Sequence, residues 1–265
     1  MTSKKGSANW HYDDKVALVV GASSGIGLAI AERLLASGAR VAVVGRRTSE
    51  LEAFQARSPE RAVAITADVT DADQVARMVQ HTVEAFGRLD VAFNVAANLR
   101  LGQIVDLSEA DWDAVQDGVL RSAFICVKHQ AGQMIRQGVG GAIVNVTSVS
   151  AHIPGRGAAA YSSAKAGLEM LTRTAALELA EHSIRVNALS PGLVNTPLTE
   201  PVLAQPGVLD IYRQRIAQDR AADPFEMTGP ALFLGSDEAS YVTGSILVAD
   251  GGWSQTGYPD FRQLA

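Results

Sequence analysis

Seven short apolar runs recur along the chain, most of them rich in β-branched residues: VALVV at 16–20, VAVVG at 41–45, AVAIT at 62–66, LDVAFNV at 89–95, AIVNVTS at 142–148, IRVNALS at 184–190 and SILVAD at 245–250. They are continuous rather than alternating. Such strands are buried on both faces, as in a parallel sheet covered by helices. Amphipathic or alanine-rich stretches of helical length separate them. The pattern predicts an α/β fold: a single doubly wound domain with a seven-stranded parallel sheet, helices on both faces and right-handed crossovers.

No linker, low-complexity stretch or short repeat divides the chain. Residues 1–12 read as a mobile N-terminal tail, 13–253 as the domain and 254–265 as a C-terminal tail. The longest interval between strands, Ser190 to Ser245, holds EPVLAQPGVLDIYRQRIAQ and DPFEMTGPALFLGS, both helical in pattern. Residues 190–235 are therefore expected to form a helical substrate lid.

Composition narrows the function. The 265 residues are 47% hydrophobic and carry a formal charge of -5, with no basic cluster longer than Lys4-Lys5 or Arg46-Arg47. That argues against nucleic acid and anionic membrane as partners. No stretch approaches the ~20 apolar residues of a membrane span, and the first residues lack the apolar run of a signal peptide. The single Cys126 forbids an internal disulfide and, beside Phe124 and Val127, reads as core. A soluble, cytoplasmic protein is expected. His11, His81, His129 and His182 lack metal-ligand spacing, and no metal is expected.

The first strand runs into GASSGIG at 21–27, followed by an amphipathic helix. Gly21 can take a turn that a β-carbon forbids. With Ser23, Ser24, Gly25, Ile26 and Gly27 it forms a loop in which pyrophosphate can approach backbone N–H groups at the helix N-terminus. This order of strand, glycines and helix predicts dinucleotide binding. The second strand ends in VVGRRTSE, with Gly45 where an acidic ribose ligand would stand, then Arg46 and Arg47. Arginine forks match phosphate, so NADP(H) is expected over NAD(H); a solvated surface pair is the other reading.

AAYSSAK at 159–165 sets Tyr161 and Lys165 four positions apart, on one helix face. The same spacing occurs on many solvated helices, so the rest of the chain decides its meaning. From about Asp14 to Trp253 the chain resembles the short-chain dehydrogenase/reductase family in GASSGIG, ADV (67–69), NVAA (94–97), NVTS (145–148), YSSAK (161–165), RVNALSPG (185–192) and YVTGSILVADGG (241–252).

The resemblance implies a Rossmann-type fold, a nicotinamide cofactor and hydride transfer between an alcohol and a carbonyl. It implies Tyr161 as acid/base, Lys165 as the group that lowers its pKa and holds the nicotinamide ribose, and Ser148 as hydrogen-bond partner of the substrate oxygen. Asp68 and Val69 would sit at the adenine. Asn94 and Ala96 would border the cofactor, and Pro191, Gly192, Val194 and Thr196 would approach the nicotinamide. Bringing a tyrosine from about 10 to pH 7–8 takes roughly 3–4 kcal/mol. One cation about 4 Å away at an effective dielectric of 20 supplies about 4 kcal/mol.

Three positions depart from the family pattern. Val20 stands where Thr is usual, NVAA replaces Asn-Asn-Ala-Gly, and Val119 stands where a helix asparagine completes the usual catalytic set. In the family that asparagine is thought to hold a water linking the lysine to solvent. Ser122, one turn on, would be a substitute anchor or would pack against a neighbouring helix. Two functions follow: an NADP(H)-dependent carbonyl reductase or alcohol dehydrogenase, or a catalytically impaired NADP(H)-binding sensor or scaffold.

Candidate substrate walls are 98–101, His152 to Arg156, and Leu193 to Leu203; His152 either touches substrate or faces solvent. A homotetramer is implied through the helices at 109–137 and 159–181 and the last strand. Tyr258 and Phe261 are expected to pack on a neighbouring subunit.

Overall fold

The computed structural model describes residues 10–256. Every expected run forms a strand: β1 Val16–Val20, β2 Arg40–Gly45, β3 Ala62–Thr66, β4 Val91–Asn94, β5 Gly141–Val146, β6 Ile184–Pro191 and β7 Ile246–Ala249. All neighbours pair in parallel, in the order β3-β2-β1-β4-β5-β6-β7. Strands β1 and β2 are buried on both sides almost throughout, which is why they read as unbroken apolar runs. The order reverses between β1 and β4. At that switch point the helices leave in opposite directions and open a crevice at the carboxyl ends of the strands.

The helices are α1 Gly25–Ala36, α2 Thr48–Ala56, α3 Ala72–Phe86, α4 Glu109–Val115, α5 Ser122–Gln137, α6 Ala159–Leu179, α7 Glu200–Leu203, α8 Val208–Arg213 and α9 Thr228–Gly235. Local chemistry explains their ends. Asp71 caps α3 by accepting from the N–H groups of Asp73 and Gln74, and Gly87 ends it in the left-handed conformation at φ 84°. Helices α4 and α5 are one continuous rod joined by a π turn at Gln116–Arg121. A π turn inserts one extra residue into a helix and commonly sits at a functional site.

Polar groups also tie the layers together. Asn94 and Asn145 stand opposite each other on β4 and β5. Asn94 Nδ2 donates to Asn145 Oδ1 at 3.0 Å and exchanges hydrogen bonds with Gln130 of α5; Asn145 Nδ2 donates to Thr172 of α6 at 3.0 Å. All four residues are buried. A fully paired network of this kind fixes how α5 and α6 sit on the sheet.

Two expected boundaries are corrected. The segment 1–12 is not a tail throughout. Tyr12 is 1% exposed and donates its hydroxyl to the Leu232 carbonyl at 2.7 Å, while Trp10 packs against Phe233. Residues 1–9 lie outside the described residues. The lid segment 190–235 is also too long. Its last helix, α9, buries Ala231, Leu232 and Leu234 in the main core, beside α1 and the sheet, so only the part before it can cover a site. Cys126 is buried, as expected, and burial pushes its thiol up to about 12. Among the described residues no helix is long and apolar enough to cross a membrane.

The packing of Tyr12 is testable by denaturant unfolding. Tyr12→Phe leaves the Leu232 carbonyl buried without its donor and should cost about 1–3 kcal/mol. Tyr12→Ala should cost about 3–5 kcal/mol. A truly mobile segment would show neither loss.

Candidate functional site

The crevice is a cleft of about 670 Å³, running from the end of β2 across the switch point to α6. The glycine turn forms one wall. Gly21 has φ 85°, and a β-carbon there would lie 2.7 Å from the Ala96 nitrogen. A β-carbon at Gly27 would strike the Gly21 carbonyl oxygen, and Gly25 also has positive φ, 56°. Ser24, before α1, makes no side-chain cap. The first-turn N–H groups of α1 are thereby left for a ligand, where the helix dipole favours an anion. These residues fit the pyrophosphate of a dinucleotide.

At the far end, Gly45 approaches Ser23, and Arg47 donates to the Ser23 hydroxyl through Nη2 and Nε at 3.0 and 3.2 Å. Arg46 and Arg47 both border the cleft, and no acidic side chain ends β2. Asp68 is held by Thr70, whose N–H and hydroxyl donate to Oδ1 at 2.9 and 2.8 Å. Those hydrogen bonds, the backbone one first, hold the Asp68 carboxyl below its ordinary range.

The third group lies where β5 ends. Ser148 caps a short 3-10 turn by accepting from Ser150 N at 3.1 Å, and its hydroxyl is near enough to Tyr161 to draw the phenol's pKa down. One turn along α6, Lys165 is 2% exposed. Its Nζ donates to the Val146 carbonyl at 2.8 Å and lies 5.5 Å from the Tyr161 ring centre. Burial pushes the Tyr161 phenol up to about 12, with the Ser148 hydrogen bond pulling the other way, and pushes Lys165 down to about 7. Burial of the phenol thus sets the direction of the Tyr161 shift, which the spacing of Tyr161 and Lys165 alone does not reveal. Desolvation disfavours the charged form of each group. The pair holds its last proton as neutral Tyr and neutral Lys, and moving that proton to the lysine creates tyrosinate and ammonium together.

A family model described as enoyl-(acyl carrier protein) reductase matches residues 21–254. A protein of Aspergillus oryzae named short chain dehydrogenase/reductase astE is 40% identical over 249 residues, 91% of this chain and 95% of its own. This chain belongs to the short-chain dehydrogenase/reductase family. A 2,5-dichloro-2,5-cyclohexadiene-1,4-diol dehydrogenase of Sphingobium indicum is 38% identical, over 91% of this chain and 97% of its own. The crystal structure of a short-chain type dehydrogenase/reductase from Mycobacterium marinum superposes with a TM-score of 0.88 at 34% identity, covering 92% of this chain and 97% of that one.

Within this short-chain dehydrogenase/reductase, the cleft gathers nearly every residue singled out from the sequence. Gly21, Ser23, Ser24, Gly25, Ile26 and Gly27 border it with Arg46, Arg47, Asp68, Val69 and Ala96. Ser148, Tyr161, Lys165, Pro191, Gly192, Val194 and Thr196 complete it. Asn94 is the exception: its side chain is turned into the buried network with Gln130 and Asn145 and does not border the cleft. Of the expected substrate walls, Asn98, Val194 and Thr196 to Thr199 border the cleft, whereas 99–101 and 152–156 do not. Ser122 is buried, and its hydroxyl donates to the Gly118 carbonyl at 3.0 Å within its own helix. Tyr258 and Phe261 lie outside the described residues.

His152 neither faces the cleft nor stands alone. Its Nε2 meets Glu169 Oε1 at 2.9 Å, and Thr147 donates to the same oxygen at 3.3 Å. Burial pushes the Glu169 carboxyl up, against the pull of His152, Thr147 and Arg173. The pair straps the turn after Ser148 to α6, one turn beyond Lys165. Sequence reading missed Glu169, which looks like any acidic helix residue until the fold brings His152 to it.

Removing His152 leaves that buried carboxylate with only Thr147 and, at 4.0 Å, Arg173. Because His152 is 37% exposed, the loss is discounted from that of a fully buried pair. His152→Ala should cost about 1–2 kcal/mol in urea unfolding at pH 7, and the cost should largely vanish in a Glu169→Gln background. Additive losses would mean the two do not interact.

Proposed function

We propose that the protein is an NADP(H)-dependent oxidoreductase that moves hydride between a nicotinamide cofactor and a small-molecule carbonyl or secondary alcohol, with Tyr161 as acid/base. The observation that carries this reading is the gathering of Ser148, Tyr161 and, one turn along α6, Lys165 on the border of the cleft that the glycine turn lines. The glycine turn and the N-terminus of α1 would hold the pyrophosphate, Asp68 and Val69 the adenine, and Arg46 and Arg47 a 2′-phosphate. A bound nicotinamide supplies or accepts the hydride.

The chain supplies the proton. In carbonyl reduction the Tyr161 hydroxyl donates to the oxygen on which charge develops, and Ser148 hydrogen-bonds that oxygen. The tyrosinate left behind is tolerable in a buried site only beside a charged Lys165. The competent form for reduction therefore carries both protons of the pair. The form competent for alcohol oxidation carries one, arranged as tyrosinate and ammonium. As pH rises through the value near 7 to which burial brings Lys165, the two-proton form gives way to the one-proton form, which rests as neutral Tyr and neutral Lys and reaches tyrosinate and ammonium by proton transfer within the pair. Reductive kcat/KM should fall above about pH 7 and oxidative kcat/KM should rise.

Exposed Phe124 on α5, Met170 and Leu177 on α6, and Tyr241 and Val248 at the β7 edge support a homotetramer built on two apolar faces. The buried, single Cys126 fits a reducing, cytoplasmic setting.

NADPH oxidation with a panel of ketones and aldehydes tests the reading. Tyr161→Phe should retain cofactor and lose at least about 100-fold in rate. Arg46→Ala should raise the NADPH KM about 10- to 100-fold and that of NADH far less. Equal effects on both cofactors would remove the NADP(H) assignment. Cofactor binding without turnover across a broad panel would favour an impaired binding protein. A monomer by light scattering at micromolar concentration would contradict the assembly.

A further inference from the structure

The π turn at Gln116–Arg121 is the wall on which the catalytic half of α6 rests. Val115 and Val119 form one apolar cluster with Ala160 and Ala164, and Leu120 and Tyr161 pack against it. Gln116 Nε2 donates to the Ala160 carbonyl at 3.0 Å. Where this turn sits therefore decides where Tyr161 and Lys165 sit. Something must hold it, because a π turn breaks the regular ladder of helix hydrogen bonds.

The loop after β4 supplies the holder. Asn98 Nδ2 donates to the carbonyl of Ala114, just before the π turn, at 2.8 Å. Its amide lies over the α-carbon of Gly118. A β-carbon at Gly118 would be 2.7 Å from Nδ2 and 2.9 Å from Oδ1, so the amide occupies the space that glycine leaves. Oδ1 is sealed from solvent and has no hydrogen-bond partner within the protein. A half-satisfied buried amide is costly, and such groups persist where they serve function rather than stability. The neighbouring Val119 can make no side-chain hydrogen bond of its own.

We propose that Asn98 is the positioning residue of the catalytic group. It pins the π turn from the cleft loop, in place of the hydrogen-bonding side chain that Val119 lacks, and thereby holds Tyr161 and Lys165 in register. The inference deepens the acid–base reading of Tyr161 and rests on it. Gly118 and Asn98 act as one unit: the pin works only while residue 118 has no side chain.

The experiment combines kinetics with thermal unfolding of the full chain. Asn98→Ala should lower kcat about 10- to 100-fold, since small misplacements of reacting groups cost that much. It should leave the KM for NADPH within about twofold. Val119→Asn, which returns an amide to the turn, should recover much of the lost kcat in the Asn98→Ala background. Gly118→Ala should lower both the Tm and kcat in the native background and neither in Asn98→Ala. Should Asn98→Ala fail to fold, Asn98→Ser, which also lacks the reach to Ala114, takes its place with the same expectations. A kcat within twofold of the native value, no recovery by Val119→Asn, or simple addition of the Gly118 and Asn98 effects overturns the proposal. Substantial activity in Tyr161→Phe would instead sink the acid–base reading while leaving the Gly118–Asn98 coupling in Tm intact, so the two failures are distinguishable.

Discussion

Taking a lysine out of water is the constraint on which the site depends. Lys165 is almost fully enclosed, and the group that receives its Nζ is a backbone carbonyl, that of Val146. No carboxylate is paired with it among the described residues. A buried ammonium without a counter-ion moves toward its neutral form. Tyr161 meets the same penalty from the opposite side, because its charged form is the anion. The two groups meet these penalties side by side, with Lys165 Nζ 5.5 Å from the Tyr161 ring centre. In the proposed reaction the pair acts as one acid whose proton can be drawn either way, which is what reversible proton exchange with a carbonyl oxygen requires.

The surrounding fold keeps that pair in place. The switch point between β1 and β4 opens the crevice, and the glycines bring backbone within reach of an anion at one end. At the other end α6 is fixed from three sides. Thr172 joins it to the Asn94–Asn145 network through the sheet, Glu169 ties it to His152 after Ser148, and Gln116 with the π turn presses on its first turns. None of these contacts touches the cleft chemistry directly. Together they restrict how far Tyr161 can drift from Ser148.

Much of the architecture was legible in the sequence because it is local. Strands buried on both faces must be continuous apolar runs, so β1 and β2 announced themselves, and the glycine turn can follow only a strand and precede only a helix. What escaped was tertiary. Tyr12 lies in a polar, charged segment, and only the packing of α9 reveals its pocket. Helix α9 itself looked like part of a lid because its helical pattern carries no sign of what it packs against. Asn94 sits in a cofactor-like motif, yet its amide is consumed by Gln130, thirty-six positions away in the chain. Glu169 and His152 are ordinary residues until β5 and α6 are set side by side. The upward shift at Tyr161 has the same origin: Coulomb attraction can be estimated from spacing, whereas burial cannot.

The central claim is that the buried Lys165 gives up its charge near neutral pH. Carbon-13 labelling of lysine side chains and an NMR titration of the full chain measure this directly, with the Lys165 signal assigned by its loss in Lys165→Met. The account predicts that the Lys165 ε-carbon shifts with a midpoint near pH 7. A midpoint at the ordinary lysine value of about 10 would contradict it.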